Sequence, residues 1–275
     1  MLEAPLLAAL LTAMAPALAA RPVPTVVDTP TVRLNLAQVK ARLAAGTGEA
    51  LPDLSRADLS GLDLSGLDFR RANLTGATLV GVKAGGANLF SCDLTDVKAS
   101  GADFGRANLD GSVLRRADLR KANLTGASLF ATIIEAADLS GATLSGARII
   151  GYLRGAKLVG AVLKDANIGA DPGNQSMGVM RATFTSADLS GADFTGANLF
   201  KADFSHATLA GARLTRADLR NAELIQTDLT RADLTGAKLA QANLDGADFT
   251  GATGMDRTQG LDQARHRDKA ILDAK

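Results

Sequence analysis

The chain of 275 residues has few aromatic side chains: Phe, Trp and Tyr make up 4% of it, with no Trp and one Tyr. Hydrophobic residues reach 47%, so a large core is possible, but it must consist of aliphatic and small side chains. An excess of one charge is also lacking, because 30 basic residues accompany 29 acidic ones. A near-neutral chain is not typical of a nucleic-acid binder, and no specific nucleic-acid partner is expected.

Residues that carry chemistry are scarce. Cys92 is the only cysteine, which excludes an intrachain disulfide, and its position in the pattern below predicts a buried, apolar thiol. His206 and His266 have no partners at metal-ligand spacing. Nucleotide-binding glycine motifs and a G-x-S-x-G elbow are absent as well. We therefore expect no metal, no cofactor and no catalytic residue, and predict that the chain is not an enzyme.

A five-residue pattern dominates the sequence from Leu54 onward. Leu or Phe recurs every fifth residue, as in Ala57-Asp58-Leu59-Ser60-Gly61, and fills 33 of 38 such positions up to Phe249. An α-helix turns about 100° per residue, so this period would spread the leucines around the helix. In a straight strand they would alternate between the two faces. The pattern therefore predicts a backbone that bends once per repeat, often at a glycine.

These tandem A(D/N)LXX repeats resemble the pentapeptide-repeat proteins over residues 52–253. The resemblance implies an all-β solenoid, a right-handed quadrilateral β-helix with four repeats in each coil. The 38 repeats then predict about nine to ten coils, with Leu and Phe inside and polar side chains outside.

Both ends of this coil are predicted to be covered by short capping helices. Residues 35–51 form the N-terminal one, with Asn35 as N-cap and Gly46 as stop signal, after a proline-rich linker at residues 21–34. Residues 254–275 form the C-terminal one, from apolar residues at helical offsets: Leu261, Ala264, Ile271 and Leu272. Covered ends favour a monomer or a laterally associated dimer over a fibre.

The first twenty residues resemble a secretory signal peptide. Residues 4–20 are uncharged, and Ala17-Leu18-Ala19 matches the small residues that precede a cleavage site. Export to the periplasm or the medium of a bacterium is therefore expected, with no transmembrane anchor after processing. If residues 1–20 are not a signal, the protein is cytoplasmic.

Two breaks in the repeat are candidates for a binding site. One residue is missing between Ile149 and Leu153, and Tyr152 beside this gap is predicted to point outward. Residues 169–181 are an insertion, predicted to project as a loop of about six residues if Val179 is an extra core position. A tolerated surface insertion is the alternative. The insertion residues proposed to contact a partner are Asp171, Asn174, Gln175, Met177 and Met180.

Apolar residues in outward positions are a third candidate. Phe90 and Phe130 each follow a core leucine by one residue, and four-repeat coils place them on one face, with Ile150 next. With Tyr152 they predict an apolar contact stripe. The alternative, which the repeat pattern favours, is that they pack at a corner against neighbouring coils. The sequence does not assign Phe200 to a face.

Three functions remain open. The first is an exported, non-enzymatic scaffold that binds a protein or the cell envelope. The second, implied by the family resemblance, is a cytoplasmic protein that protects DNA gyrase by mimicking DNA, a role that requires a largely negative face. The third is an enzyme that uses the insertion and Tyr152.

Overall fold

The computed structural model describes residues 31–46, 50–170 and 181–273. The predicted signal peptide, most of the predicted linker and residues 171–180 lie outside them. The regular elements, in chain order, are strand β1 (Val32–Arg33), helix α1 (Leu36–Ala45), strands β2 (Ala57–Asp58), β3 (Ser128–Ile133) and β4 (Arg148–Tyr152), and three 3-10 turns (Met255–Arg257, Leu261–Gln263 and Arg267–Lys269).

Most of the chain forms a coil held together by parallel β-bridges. Asp53 bridges Asn73 and Asn73 bridges Asp93, and this offset of 20 residues recurs along the coil. Because each repeat has five residues, one coil contains four repeats, as the family resemblance implies. We number the four faces by their first bridging residues, which are Asp53 (face 1), Asp58 (face 2), Asp63 (face 3) and Asp68 (face 4).

Every repeat has five positions, which we name bridging, core, outer, corner and small. In the repeat that starts at Asp118, these are Asp118, Leu119, Arg120, Lys121 and Ala122. Leu119 is fully buried, and its N–H donates to the Asp138 carbonyl of the next coil at 2.7 Å. Lys121 has a left-handed φ of 57°, which bends the chain toward the next face.

The bridging Asp or Asn satisfies the one backbone donor that the coil leaves open. The outer N–H has no carbonyl partner in the neighbouring coil, and a side-chain oxygen two residues earlier accepts it. Ser60 donates to Asp58 at 2.9 Å, and Thr125 donates to Asn123 at 3.1 Å. This local bond explains why Asp or Asn precedes the core leucine so often.

The small position faces the narrow interior and is usually alanine. Four residues there carry a polar atom, and each donates to the carbonyl of a core residue 23 positions earlier. They are Cys92, Ser112, Thr132 and Thr227. Burial raises the pKa of the Cys92 thiol to about 12. The predicted burial of this thiol is therefore confirmed.

Helix α1 packs on the first coil. The Asn35 side chain accepts from the Gln38 N–H and the Gln38 side chain accepts from the Asn35 N–H, both at 2.9 Å, and the helix ends before Gly46 as predicted. Val39 is completely buried within the main core, and β1 pairs with β2 beside it. The N-terminal segment thus adds both a strand and an apolar contact to the end of the coil.

The C-terminal segment is not the predicted helix. Its 3-10 turns alternate with three further bridges, Lys238 to Gln259, Asn243 to Arg265 and Asp248 to Ile271. The bridging residues are now six apart, and left-handed Gly254 and Gly260 occupy positions that hold leucine elsewhere.

The prediction failed because Leu261 and Ala264, three apart, and Ala264 and Ile271, seven apart, fit helical spacing, although the chain turns every six residues here. Leu261, Ala264 and Ala270 pack against the core instead of forming one helical face. Faces 1 and 2 consequently stack eleven bridging residues each and faces 3 and 4 stack ten, about one coil more than the repeats predicted.

Candidate interaction surface

Two diagonally opposite corners of the coil differ in composition. The corner between faces 2 and 3 (the 2–3 corner) has glycine at eight of ten positions, the exceptions being Lys121 and Arg231. The corner between faces 4 and 1 (the 4–1 corner) has one glycine among seven left-handed positions: Arg71, Ser91, Gly111, Ala131, Lys201, Asn221 and Gln241. A side chain in this conformation costs roughly 1 kcal/mol relative to glycine.

The missing residue lies at the 4–1 corner. Strand β4 pairs with β3 so that Ile150 faces Phe130 and Tyr152 faces Ile133, which leaves Gly151 opposite two residues, Ala131 and Thr132. A Cβ on Gly151 would collide with the Thr132 carbonyl oxygen and lie 3.1 Å from its nitrogen. Only glycine fits this shortened corner.

The insertion lies at the same corner in the next coil. Bridges from Tyr152 to Thr183 and from Asn167 to Asn198 span 31 residues, eleven more than a regular coil. The chain leaves the coil after Ala170, whose N–H donates to the Phe200 carbonyl at 2.8 Å. The insertion therefore contains eleven extra residues, not six.

Ile168 and Phe184 occupy the core positions of successive sides of the coil. Val179, considered above as a possible extra core position, lies outside the described residues. The candidate residues Asp171, Asn174, Gln175, Met177 and Met180 lie outside the described residues.

The outward apolar residues form one column beside this corner. The bridges place Phe90, Phe130 and Ile150 at the outer position of face 4, and they add Phe200 to the same column. The sequence could not place Phe200, because its face depends on how many sides the insertion contains.

The members of this column differ in exposure. Phe130 and Ile150 are 8% and 1% exposed and form a small apolar cluster with Ala131, separate from the main core. The Arg148 guanidinium lies 4.2 Å from the centre of the Phe130 ring. The corner-packing alternative thus describes Phe130 and Ile150. Phe90 and Phe200 remain partly exposed.

Face 1 adds apolar residues that the sequence analysis missed. Val113, Ile133 and Tyr152 occupy the bridging position in three successive coils, where most other coils of this face carry Asp, Asn or Glu. Tyr152 is 50% exposed, as its outward placement predicts. Reading the sequence in steps of one coil would have revealed this run.

Face 4 carries positive charge beside these rings. Two of its acidic residues are paired, Asp68 with Arg70 and Asp218 with Arg220, each at 2.6 Å. The hydrogen bond from Arg70 lowers the pKa of Asp68. Asp110 accepts from the Ser128 hydroxyl at 2.6 Å and the Phe130 N–H at 2.8 Å.

Three cations of face 4 and its corner have no ion pair within the described ranges: Arg71, Lys201 and Lys238. The Lys201 Nζ lies 5.2 Å from the centre of the Phe200 ring.

The described part of the chain contains no group of three or more His, Cys, Asp or Glu side chains that could hold a metal ion. In the same residues, no helix has the length and apolar character needed to span a bilayer. What the 4–1 corner offers is contact chemistry: rings, cations and a break in the regular surface.

Comparison with known proteins identifies the repeat. A family model described as pentapeptide repeats matches eight copies, at residues 53–89, 92–129, 122–151, 180–216 and 212–251. No match is found among curated proteins.

Two solved structures are similar to this chain. HetL, a pentapeptide repeat protein involved in heterocyst differentiation regulation in the cyanobacterium Nostoc sp. strain PCC 7120, is 31% identical, with 87% of this chain and 100% of that chain covered and a TM-score of 0.49. QnrB1, a plasmid-mediated fluoroquinolone resistance protein, is 17% identical, with 71% and 90% covered and a TM-score of 0.38.

Proposed function

The chain belongs to the pentapeptide repeat family, and we propose that it is a non-enzymatic scaffold that binds a protein partner through the 4–1 corner. One observation carries this proposal: the departures from the repeat coincide there. The missing residue at Gly151, the insertion after Ala170 and the column of Phe90 and Phe200 all border this corner. The opposite corner keeps glycine at eight of ten positions and has no change of length.

An exposed ring at this corner supports binding as its purpose. Tyr152 remains half exposed beside the shortened corner. The six left-handed side chains of this corner do not distinguish it, because the corner between faces 1 and 2 carries seven. A surface that serves only to keep the rod in solution would not need an exposed ring at a break in the repeat.

Export remains part of the proposal. A signal peptide at residues 1–20 would place the corner in the periplasm or the medium, where a protein of the cell envelope could meet it. The right-handed winding implied by the family and the capping role of helix α1 also stay predictions. Mass spectrometry of the natural protein would locate its N-terminus and test export directly.

The charges favour this scaffold over a DNA mimic. A mimic needs a continuous negative face, but the acidic bridging residues of face 1 are interrupted by Val113, Ile133 and Tyr152. Basic side chains border the same face, including Arg115, which pairs with Glu135 at 3.0 Å. A gyrase supercoiling assay tests the alternative, and relief of gyrase inhibition by this protein would favour it.

Site-specific photo-crosslinking in the natural host tests the proposed surface. A photoreactive phenylalanine analogue would replace Tyr152 or Phe200, and the matched control would replace Val159, which is 40% exposed on face 2. We expect discrete crosslinked protein bands from the two corner positions and none from the control. Equal crosslinking at all three positions, or none at any, would contradict the proposal.

A further inference from the structure

Face 3 carries the smallest outward side chains of the coil. We count its coils from Asp63, so that Lys83 belongs to the second coil and Asp233 to the ninth. Between these two coils, the outer positions hold only glycine, serine and threonine apart from Lys164. The bridging and outer residues of these eight coils are all exposed or partly exposed. This part of face 3 is therefore a flat and accessible surface.

Glycine occupies two outer positions of face 3 without a need of the backbone. Gly85 and Gly105 lack the left-handed φ of the corner glycines. A Cβ on Gly85 would meet no atom closer than 3.7 Å, which is an ordinary contact. Because glycine in a strand weakens the fold relative to alanine, its presence there indicates that another surface approaches closely.

The charges of face 3 are arranged so that the face complements itself. Its eight coils carry three cations and three anions: Lys83, Asp103, Lys164, Asp193, Arg213 and Asp233. We propose that face 3 binds a second copy of this chain in an antiparallel dimer. The two-fold axis runs parallel to the strands of this face and passes between its fifth and sixth coils.

This axis places unlike residues opposite each other along the whole face. The facing bridging residues are Lys83 and Asp233, Asp103 and Arg213, Asn123 and Asp193, and Thr143 and Val162. Each contact occurs twice, because the axis relates the two copies. Gly85 and Gly105 lie opposite Thr235 and Thr215, so the absent side chains leave room for the threonines of the second copy.

A shift of the two copies by one coil destroys this match. In one direction, the shift sets Lys83 against Arg213 and Asp103 against Asp193. In the other direction, it sets Asp103 against Asp233. Like charges that face each other across an interface are costly, so the charges select one register.

Contacts within the chain leave these charges available for the second copy. Asp193 lies 3.4 Å from the Lys164 ammonium and 3.9 Å from the Arg213 guanidinium. The Arg213 side chain is nevertheless 61% exposed. Asp103, which would receive it, accepts two hydrogen bonds on Oδ1, and its Oδ2 can accept the guanidinium.

The corners that border these eight coils carry five further charges. Three of them face glycines of the second copy: Lys121, Asp165 and Arg231. Arg106 and Arg216 face each other and are the one like-charge pair of the interface. Both are exposed at its rim, where water and salt screen their repulsion.

The size of this face suits a dimer of moderate affinity. It extends for about 34 Å from Lys83 to Asp233, at roughly 4.8 Å per coil. With the bordering corners, it offers about 20 to 30 residues per copy, as a standard interface does. The 4–1 corner lies on the far side of face 4 and remains uncovered, so this inference does not depend on the proposed function.

Sedimentation velocity of the purified protein tests the inference. At about 50 µM we expect a dimer, since a polar interface of this size corresponds to micromolar affinity. Lys83→Glu sets glutamate against Asp233 twice and should weaken dimerisation at least about tenfold. The matched control Lys98→Glu, at the bridging position of face 2, should leave it unchanged. The variant K83E/D233K should restore the dimer, which a purely structural role of these residues would not.

Crosslinking between introduced cysteines tests the register. In a Cys92→Ala background, Thr125→Cys and Thr195→Cys face each other in the dimer but lie three coils apart in one chain, about 14 Å. A short bismaleimide should therefore join two copies. The control pair of Thr125→Cys and Thr230→Cys, which moves the second thiol to face 2, should yield little product.

Several results would overturn the inference. These are a monomer at concentrations up to about 200 µM, a dimer that Lys83→Glu leaves intact, or equal crosslinking of the two cysteine pairs. Failure of K83E/D233K to restore the dimer, with a circular dichroism spectrum like that of the unmodified protein, would also contradict it. The photo-crosslinking at the 4–1 corner is a separate measurement, so either proposal can fail alone.

Discussion

The 2–3 and 4–1 corners bend the same backbone in the same left-handed conformation, but they do so with different residues. At the 2–3 corner, Gly101 has no atom within 4 Å of the place where a Cβ would lie. At the 4–1 corner, Lys201 and Gln241 have left-handed φ angles of 60° and 61°. Turning the chain therefore does not require side chains, although the corner between faces 1 and 2 also carries them, at seven left-handed positions.

The 4–1 corner also shows that the coil tolerates changes of length there, provided that the bridges on either side are kept. One coil loses a residue at Gly151 and the next gains eleven after Ala170, while the bridges on either side of the corner remain aligned. Corners can change length because the bridging and core residues hold the coils together. Changes of length at one corner thus cost the fold little and can create a site.

The largest expected effect is a difference in thiol reactivity between the inner and outer sides of the 4–1 corner. Cys92 is 1% exposed and its thiol pKa is about 12, so the thiolate population is roughly a thousandfold below that of an ordinary cysteine. In a Cys92→Ala background, Ser91→Cys places a thiol on the outside of the same corner. Ellman's reagent should label this thiol rapidly, and Cys92 of the unmodified protein only after unfolding. Similar labelling rates for the two thiols would show that the 4–1 corner opens far enough to expose Cys92.

A matched pair of glycine substitutions tests the shortened corner. Gly151→Ala forces a Cβ against the Thr132 backbone, which lies between the paired residues Phe130 and Ile133, and should destabilise the protein by about 3 kcal/mol. Gly101→Ala at the 2–3 corner meets open space and should cost about 1 kcal/mol for its left-handed φ alone. Urea denaturation gives both values, and equal losses would mean that the shortened corner relaxes around the added methyl group.

Exchanging corner residues measures the strain directly. Gln241→Gly at the 4–1 corner should stabilise the fold by about 0.5–1 kcal/mol, because glycine adopts this φ without a Cβ clash. Gly211→Ala at the 2–3 corner should destabilise it by a similar amount, as judged by the midpoint of urea unfolding. If Gln241→Gly destabilises instead, its side chain contributes to the fold and the strain argument fails.

The smallest expected effect concerns the pH dependence of stability, which should be the same near the 2–3 corner and near the 4–1 corner. Hydrogen bonds from Arg120 lower the pKa of Asp118 near the 2–3 corner, and those from Arg70 lower the pKa of Asp68 near the 4–1 corner. Both pairs therefore stabilise the fold above about pH 4, and this contribution is lost as the pH falls through the lower folded-state values.

Between about pH 5 and pH 2.5 the protein loses stability as these carboxylates are protonated. Asp118→Asn and Asp68→Asn should each make this loss smaller, by a small and equal amount. Urea titrations at several pH values measure the difference, with Thr208→Ala on face 2 as a control that removes no carboxylate. A large effect for only one of the two variants would show that the corners also differ electrostatically.

The regular part of this fold could be predicted from the sequence because its period admits few conformations. Leucine at every fifth residue excludes helix and flat sheet, and the resemblance to pentapeptide-repeat proteins implies the coil of four repeats. The N-cap at Asn35 and the stop at Gly46 were also predictable, because capping is local in the chain.

The site was less predictable because it depends on how distant repeats align. Phe200 joins Phe90 and Phe130 only once the bridge between Asn167 and Asn198 fixes how many sides the insertion contains. The corner is therefore a property of the stacking, which only the hydrogen bonds between coils define.

The final coil shows that the number of coils is defined by the β-bridges and not by the five-residue period of the sequence. The family matches stop at residue 251, but bridged layers continue with six-residue sides as far as Ile271. Gly254 and Gly260 replace the inward leucine, and the extra residue on each side leaves the stacking intact. Any search that measures such proteins in units of five will consequently underestimate their length by the last turn.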